Sequence, residues 1–260
     1  MKRTKINKIL SKKGKQPITC LTAYSKNIAS ILDNYCDIIL VGDSLGMVLY
    51  GMKNTKNVTL ETMILHGKAV SDACKKSLVV VDMPNKTYTD KFTAYKNAKK
   101  IIKKTNCDAV KLEGGKKIVD IIKYLNKKKI PVMGHVGLLP QSSSNFKLKG
   151  KNLKERNLIL EDAISISKAG VFSIVVECVV ESLAKEITNS VKVPTIGIGA
   201  SKYCDGQVLV TDDMLGMSNF FPRFVKQYSK LAQVIEKSVK KYCKDVKSRK
   251  FPTLKNVYNP

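Results

Sequence analysis

Eight short apolar runs alternate with helix-period segments along this chain, and that alternation limits the fold more than any other feature. The runs fall at residues 18–23, 37–42, 78–82, 109–112, 132–136, 172–177, 195–198 and 207–210. They are rich in Val, Ile and Leu and mostly lack polar alternation, as expected of strands covered on both faces. Between them the spacing predicts helices at 59–76, 90–105, 116–128 and 156–169. Thr59 and Asp90 are placed to cap two of these, and Gly170 to stop the last. Thr62 stands where a capping box wants Glu or Gln, so the box at Thr59 is incomplete.

Strands alternating with helices, without an internal linker, give an α/β fold built on a parallel sheet. A length of 260 residues suits closure of that sheet into a (β/α)8 TIM barrel. An open doubly wound sheet is the alternative, but the first strand–helix turn lacks G-x-G-x-x-G. A single domain over residues 1–260 is expected, ending in one long amphipathic helix at 222–247 and a short tail. Residues 139–153 form a long polar connection after the fifth strand, the kind of loop that often serves as a lid.

Composition narrows the function. At 43% apolar the chain can build a large core, yet no apolar run reaches the roughly 18–20 residues that cross a bilayer. The basic start at residues 1–15 is not followed by an apolar segment, so no secretory signal is expected. Seven scattered cysteines without C-x-x-C, and only two histidines, read as free thiols in a cytoplasmic, reducing compartment and give no support for zinc. The net charge of +26 raises the question of nucleic acid. Arginine, however, occurs only at Arg3, Arg156, Arg223 and Arg249, and lysine is spread along the whole chain over solvated helix faces. Nucleic-acid binding is therefore not expected, and the basic surface is read as one that can steer anionic small molecules.

The chemistry gathers at strand ends. Asp43, Asp82, Glu113, His135 and Glu177 each lie at or just past the C-terminal end of a predicted strand. In a barrel those ends meet at one mouth, where active sites of this architecture are built. Lys111 and Glu113 are two apart and so share a strand face. They could be an ion pair, or they could bind an anionic substrate and a metal. Three carboxylates with few histidines favour a hard, oxygen-preferring ion, magnesium first and manganese or another divalent ion next. Such an ion would suit an α-keto acid, polarising its carbonyl and stabilising an enolate. A separate carboxylate is then wanted as the base, and Glu177, alone at the end of an apolar strand, is the candidate. His135 reads equally as a structural histidine or a pocket residue.

These segments resemble one family throughout. The motifs are Ile18-Thr19-Cys20-Leu21-Thr22-Ala23-Tyr24, Val41-Gly42-Asp43-Ser44-Leu45-Gly46-Met47, Lys111-Leu112-Glu113-Gly114-Gly115, Gly134-His135-Val136-Gly137-Leu138-Leu139-Pro140-Gln141-Ser142, Pro194-Thr195-Ile196-Gly197-Ile198-Gly199-Ala200 and Asp205-Gly206-Gln207-Val208-Leu209-Val210. In order and in content they resemble the ketopantoate hydroxymethyltransferases. The resemblance implies a barrel of the phosphoenolpyruvate/pyruvate-type superfamily, assembled as a homodecamer. It implies transfer of a one-carbon unit from 5,10-methylenetetrahydrofolate to 3-methyl-2-oxobutanoate, giving 2-dehydropantoate for pantothenate biosynthesis. It further implies Mg2+ on Asp43, Asp82 and Glu113, keto-acid contacts from Asp43, Ser44, Asp82 and Lys111, Glu177 as proton acceptor, and His135 in the pocket. The chain departs from the family pattern in Thr22-Ala23-Tyr24-Ser25-Lys26-Asn27, at Asn85 and Ser201, and in the stretch Asn145-Phe146-Lys147-Leu148-Lys149-Gly150. Two rivals are a magnesium-dependent lyase of the same superfamily, whose usual K-K-C-G-H-type loop is absent, and a basic binding module that has lost catalysis.

Overall fold

Strand formation follows the apolar runs closely in the computed structural model, which describes residues 3–143, 147–218 and 221–258. The strands are β1 (Ile18–Thr22), β2 (Ile38–Val41), β3 (Leu78–Asp82), β4 (Ala109–Lys111), β5 (Val132–Gly137), β6 (Ser173–Glu177), β7 (Thr195–Ile198) and β8 (Gly206–Leu209). Each pairs in parallel with the next, and β8 closes on β1 with Ile18 opposite Gly206. The expected eight-stranded barrel is therefore the fold. Its helices are α1 (Ile6–Leu10), α2 (Lys26–Leu32), α3 (Leu45–Tyr50), α4 (Leu60–Ala73), α5 (Lys91–Thr105), α6 (Val119–Lys127), α7 (Leu153–Ala169) and α8 (Glu181–Ser190).

The chain divides into two compact units, Met1–Val210 and Thr211–Pro260. The first holds the barrel; the second holds α9 (Thr211–Met214) and α10 (Leu231–Lys247). Helix α10 starts nine residues later than the periodicity predicts. The reason is visible in the backbone: the Tyr228 and Leu231 N–H groups donate to the carbonyls of Met214 and Leu215, not to an i−4 partner. Elsewhere the caps hold. Thr59 accepts from the Thr62 N–H at 3.1 Å, and Asp90 from the Phe92 and Thr93 N–H groups at 2.8 and 3.0 Å. Helix α7 begins at Leu153, because Asn152 caps it by accepting from the Glu155 N–H, and Gly170 ends it in the left-handed region. The segment expected to start at Lys116 opens with a 3-10 turn, Lys116–Ile118, before α6. Within the loop after β5, residues 144–146 lie outside the described residues, and with them Asn145 and Phe146 of the departing stretch.

Alternation along each strand sorts the side chains into two cores. Ile39, Val41, Val79, Val81, Val110, Val132, Ile174 and Val176 pack outward under the helices. Ile18, Cys20, Ile38, Leu40, Leu78, Val80, Ala109, Met133, Val175, Ile196 and Val208 fill the barrel, with Ile9 of α1 in the same cluster. Period two then fixes what comes next along each inward row. After Val80 stands Asp82, after Ala109 stand Lys111 and Glu113, after Met133 stands His135, and after Val175 stands Glu177. The inward face thus changes from apolar to ionisable toward the C-terminal mouth.

Candidate active site

Two registers set the geometry. Asp82 and Lys111 are Cα partners across β3 and β4, and Gly137 and Glu177 are partners across β5 and β6. The Lys111 Nζ lies 2.8 Å from Asp82 Oδ2, and both side chains are buried. Asp82 Oδ2 also accepts the Asp43 backbone N–H at 3.1 Å, which draws the end of β2 onto β3. Further round, His135 stands between two acids, with Nδ1 3.5 Å from Glu113 Oε1 and Nε2 3.3 Å from Glu177 Oε2. Asp43, Asp82, Lys111, Glu113, His135 and Glu177, predicted from five separate strand ends, therefore form one group at the mouth. Ser44 follows Asp43, and its Oγ is 2.8 Å from the Tyr24 hydroxyl.

Glycines make room for this arrangement. A Cβ on Gly42 would stand 2.8 Å from Ser44 Oγ, so any larger residue there would displace the Ser44 hydroxyl. Gly114, directly after Glu113, has φ +136°, and its N–H donates to the His135 carbonyl at 3.0 Å. Behind Glu177, Cys178 occupies the left-handed region at φ +48°, an unusual conformation for a residue with a side chain. Its N–H donates to the Ile198 carbonyl at 2.9 Å, and its carbonyl accepts the Lys149 N–H at 2.7 Å. Both sides of the turn that presents Glu177 are thereby fixed. Burial, with the Glu177 charge, pushes the Cys178 thiol up to about 12, so it is no nucleophile at neutral pH.

The electrostatics of the group are those of an acidic cluster short of positive charge. Burial, then the Asp82 charge, holds the Asp43 carboxyl well above the usual carboxylate range. Burial likewise raises Asp82, against the pull of Lys111. For Lys111 burial is outweighed by Asp82, Glu113 and Asp43, which raise its pKa and keep it cationic. Burial alone would lower His135, yet Glu113 and Glu177 lift it to about 9, so the ring is cationic at neutral pH. Glu113 is brought below its usual value, burial being overcome by His135 and then Lys111. Four carboxylates face two cationic side chains, an excess of two negative charges when all are ionised.

Sequence reasoning missed the polar residues that tie the group together. Gln141, in the loop after β5, donates from Nε2 to Asp43 Oδ2 at 2.7 Å and to the Met83 carbonyl at 2.9 Å. Its backbone N–H donates to Glu113 Oε2 at 3.0 Å. The Tyr88 hydroxyl donates to Gln141 Oε1 and lies 3.3 Å from the Glu113 N–H, which donates to it. A cavity of about 250 Å3 opens beside these groups, lined by Asn85, Lys86, Tyr88, Glu113, Gln141 and Ser142. The available signal was an amide next to proline in an otherwise apolar Leu-Leu-Pro-Gln segment following a strand.

Among the described residues, no group of three or more His, Cys, Asp or Glu side chains is disposed to hold a metal ion as it stands. A hard divalent ion asks for less, since magnesium is usually held by one or two carboxylates with waters and substrate oxygens completing its shell. Asp43 and Asp82 provide that pair, and Asp82 Oδ1 is buried without a hydrogen-bond partner. An oxygen so placed, beside the second carboxyl of Asp43, fits a divalent cation.

The model of one family, ketopantoate hydroxymethyltransferase, matches residues 3–254. The chain belongs to the ketopantoate hydroxymethyltransferase family. It is 61% identical over 254 residues to the 3-methyl-2-oxobutanoate hydroxymethyltransferase of Pelagibacter ubique, covering 98% of this chain and 99% of that one. It is 52% identical to the enzyme of the same name from Phenylobacterium zucineum, covering 96% and 92% of the two chains. Among solved structures it resembles phosphoenolpyruvate phosphomutase from Streptomyces platensis subsp. rosaceus, with a TM-score of 0.64, 9% identity and 99% and 92% of the chains covered. It also resembles 2,3-dimethylmalate lyase, a PEP mutase/isocitrate lyase superfamily member, with a TM-score of 0.62, 11% identity and 98% and 90% covered. Both likenesses are of fold, the (β/α)8 barrel that the alternation of strands and helices predicts.

Proposed function

We propose that this chain transfers a hydroxymethyl group from 5,10-methylenetetrahydrofolate to 3-methyl-2-oxobutanoate, giving 2-dehydropantoate, and that the barrel-mouth cluster performs the chemistry. Family membership supports the reaction. The observation that carries the residue roles is the continuous contact from Asp43 through Asp82 to Lys111, and from Glu113 through His135 to Glu177.

Asp43 and Asp82, with Glu113, would hold the divalent ion, magnesium by the hardness of its donors. When bound, the ion supplies Lewis-acid polarisation of the keto-acid carbonyl. Lys111 and Ser44 bind the substrate carboxylate, the lysine sharing its charge between that group and Asp82. Glu177 is the most open acid of the cluster, its side chain 16% exposed against 3% for Glu113 and 2% for Asp82. It accepts the proton from the third carbon; that carbon then bonds to the methylene carbon of the folate as one of its two C–N bonds breaks, and water cleaves the second C–N bond, leaving the hydroxyl on the product and releasing tetrahydrofolate. His135, cationic between Glu113 and Glu177, holds the two carboxylates on either side of its ring. The inner face below is apolar, with Val80 and Val175.

Formation of 2-dehydropantoate from the two substrates tests this reading, with magnesium present and after chelation. Product in the first case and none in the second is expected; no product in either sinks the assignment. No helix among the described residues is long and apolar enough to cross a membrane, and a cytoplasmic location is proposed with the reaction. A homodecamer is proposed from the family. In the second unit, α10 leaves Val234, Ile235, Val239, Tyr242 and Val246 exposed, an apolar face suited to subunit contact. Light scattering should give a mass of ten chains.

A further inference from the structure

We propose that Gln141, oriented by Tyr88, positions Asp43 and Glu113 for the divalent ion and so sets the affinity of the site for it. This rests on the reading of the cluster as a cation site. Gln141 is 4% exposed, and a buried amide must satisfy both hydrogens and its oxygen. It does so with three different elements of the mouth. One N–H goes to Asp43 past β2, the other to the Met83 carbonyl past β3, and the main-chain N–H of the same residue goes to Glu113 past β4. A single loop residue thus fixes the aim of two carboxylates that the sequence separates by seventy positions.

Only an amide of this length meets these demands. Leucine fills the space and donates nothing. Asparagine is one methylene short of the reach. Glutamate loses both hydrogens and sets another acid against Asp43. The amide end facing Asp43 is fixed by its acceptors, since the Asp43 carboxylate and the Met83 carbonyl take only hydrogens, and Oε1 is left to accept from the Tyr88 hydroxyl, which holds it there. Partners that orient metal-liganding side chains typically change metal affinity by about 10–100-fold when removed. Tyr88 touches neither carboxylate, meeting the Gln141 amide oxygen and the Glu113 main-chain N–H, and its own removal should matter less.

The test is Mn2+ binding to the full-length protein without keto acid, followed by the loss of the free-ion electron paramagnetic signal. Gln141→Leu is expected to weaken Mn2+ by about 10-fold or more, Tyr88→Phe by less, and the double variant no more than Gln141→Leu alone. Thermal unfolding in chelator, run alongside, checks that each variant is folded; should Gln141→Leu not fold, Gln141→Asn replaces it with the same expectation. A folded Gln141 variant that melts lower yet binds Mn2+ within twofold of the parent overturns the inference, as does full additivity in the double variant. A parent protein that binds no Mn2+ overturns the cation-site reading itself, a different result from equal binding by parent and variant.

Discussion

Asp82 and Lys111 face one another across adjacent strands, paired at Cα and joined by a 2.8 Å ion pair that is almost fully buried. Their burial decides what happens when one is removed. A buried ion pair adds little over an apolar pair, but stripping one partner leaves an uncompensated charge and costs about 3–5 kcal/mol. Lys111→Met should therefore lower the urea stability of the metal-free protein by about that amount. Added magnesium should restore part of the loss, since the ion replaces the missing positive charge. Equal loss with and without magnesium would separate Lys111 from the cation site.

A second carboxylate, at the opposite end of the barrel, serves the fold. Asp205 Oδ2 accepts from the Thr195 N–H at 2.8 Å and from Lys13 Nζ at 2.8 Å, while Oδ1 accepts from the Gly14 N–H at 2.8 Å. Burial opposes ionisation here, but Lys13 and these backbone donors hold its pKa below the ordinary value. A carboxyl depressed on folding stabilises the protein above its unfolded pKa of about 3.9 and loses that contribution as pH falls through the folded value. Asp205→Asn should thus be less stable than the parent at neutral pH, by about 1–3 kcal/mol, and the two should converge as pH falls through the folded value. Urea titrations across pH 2–7 (the range chosen from that ordinary value) check the crossing.

A relay of three hydrogen bonds supports Ser44. The Tyr24 hydroxyl lies 2.8 Å from Ser44 Oγ, the Tyr24 carbonyl 2.6 Å from His66 Nδ1, and His66 Nε2 2.8 Å from the Tyr50 hydroxyl. A carbonyl only accepts, so Nδ1 carries the proton and Nε2 accepts from Tyr50. His66→Ala should raise the keto-acid KM by about fivefold, the worth of one hydrogen bond, with kcat little changed. His66→Asn, whose amide nitrogen reaches near the Nδ1 position, should recover most of it. Steady-state kinetics with varied keto acid decides.

Much of this molecule was legible in the sequence because its signals are local. Strands covered on both faces read as apolar runs, and a carboxylate ending such a run, like Asp82 after Val79-Val80-Val81, stands out against it. The family motifs fall on the residues that the topology gathers at the mouth. Gln141 and Tyr88 were not legible as site residues, since their importance lies in contacts with Asp43, Met83 and Glu113 that only barrel closure creates. The start of α10 was misplaced for a related reason. The 222–230 stretch carries apolar residues at suggestive spacing, but its backbone donors are taken by residues 214 and 215, which no periodicity reveals.

The central claim is that Glu177 takes the proton from the third carbon of 3-methyl-2-oxobutanoate. Deuterium exchange at that carbon, in heavy water with magnesium and without folate, isolates this step from transfer. Rapid exchange is expected with the parent protein, loss of exchange by about 10²-fold or more in Glu177→Gln, and unchanged keto-acid binding by calorimetry. Exchange at the parent rate in a folded Glu177→Gln that still binds keto acid would contradict the central claim.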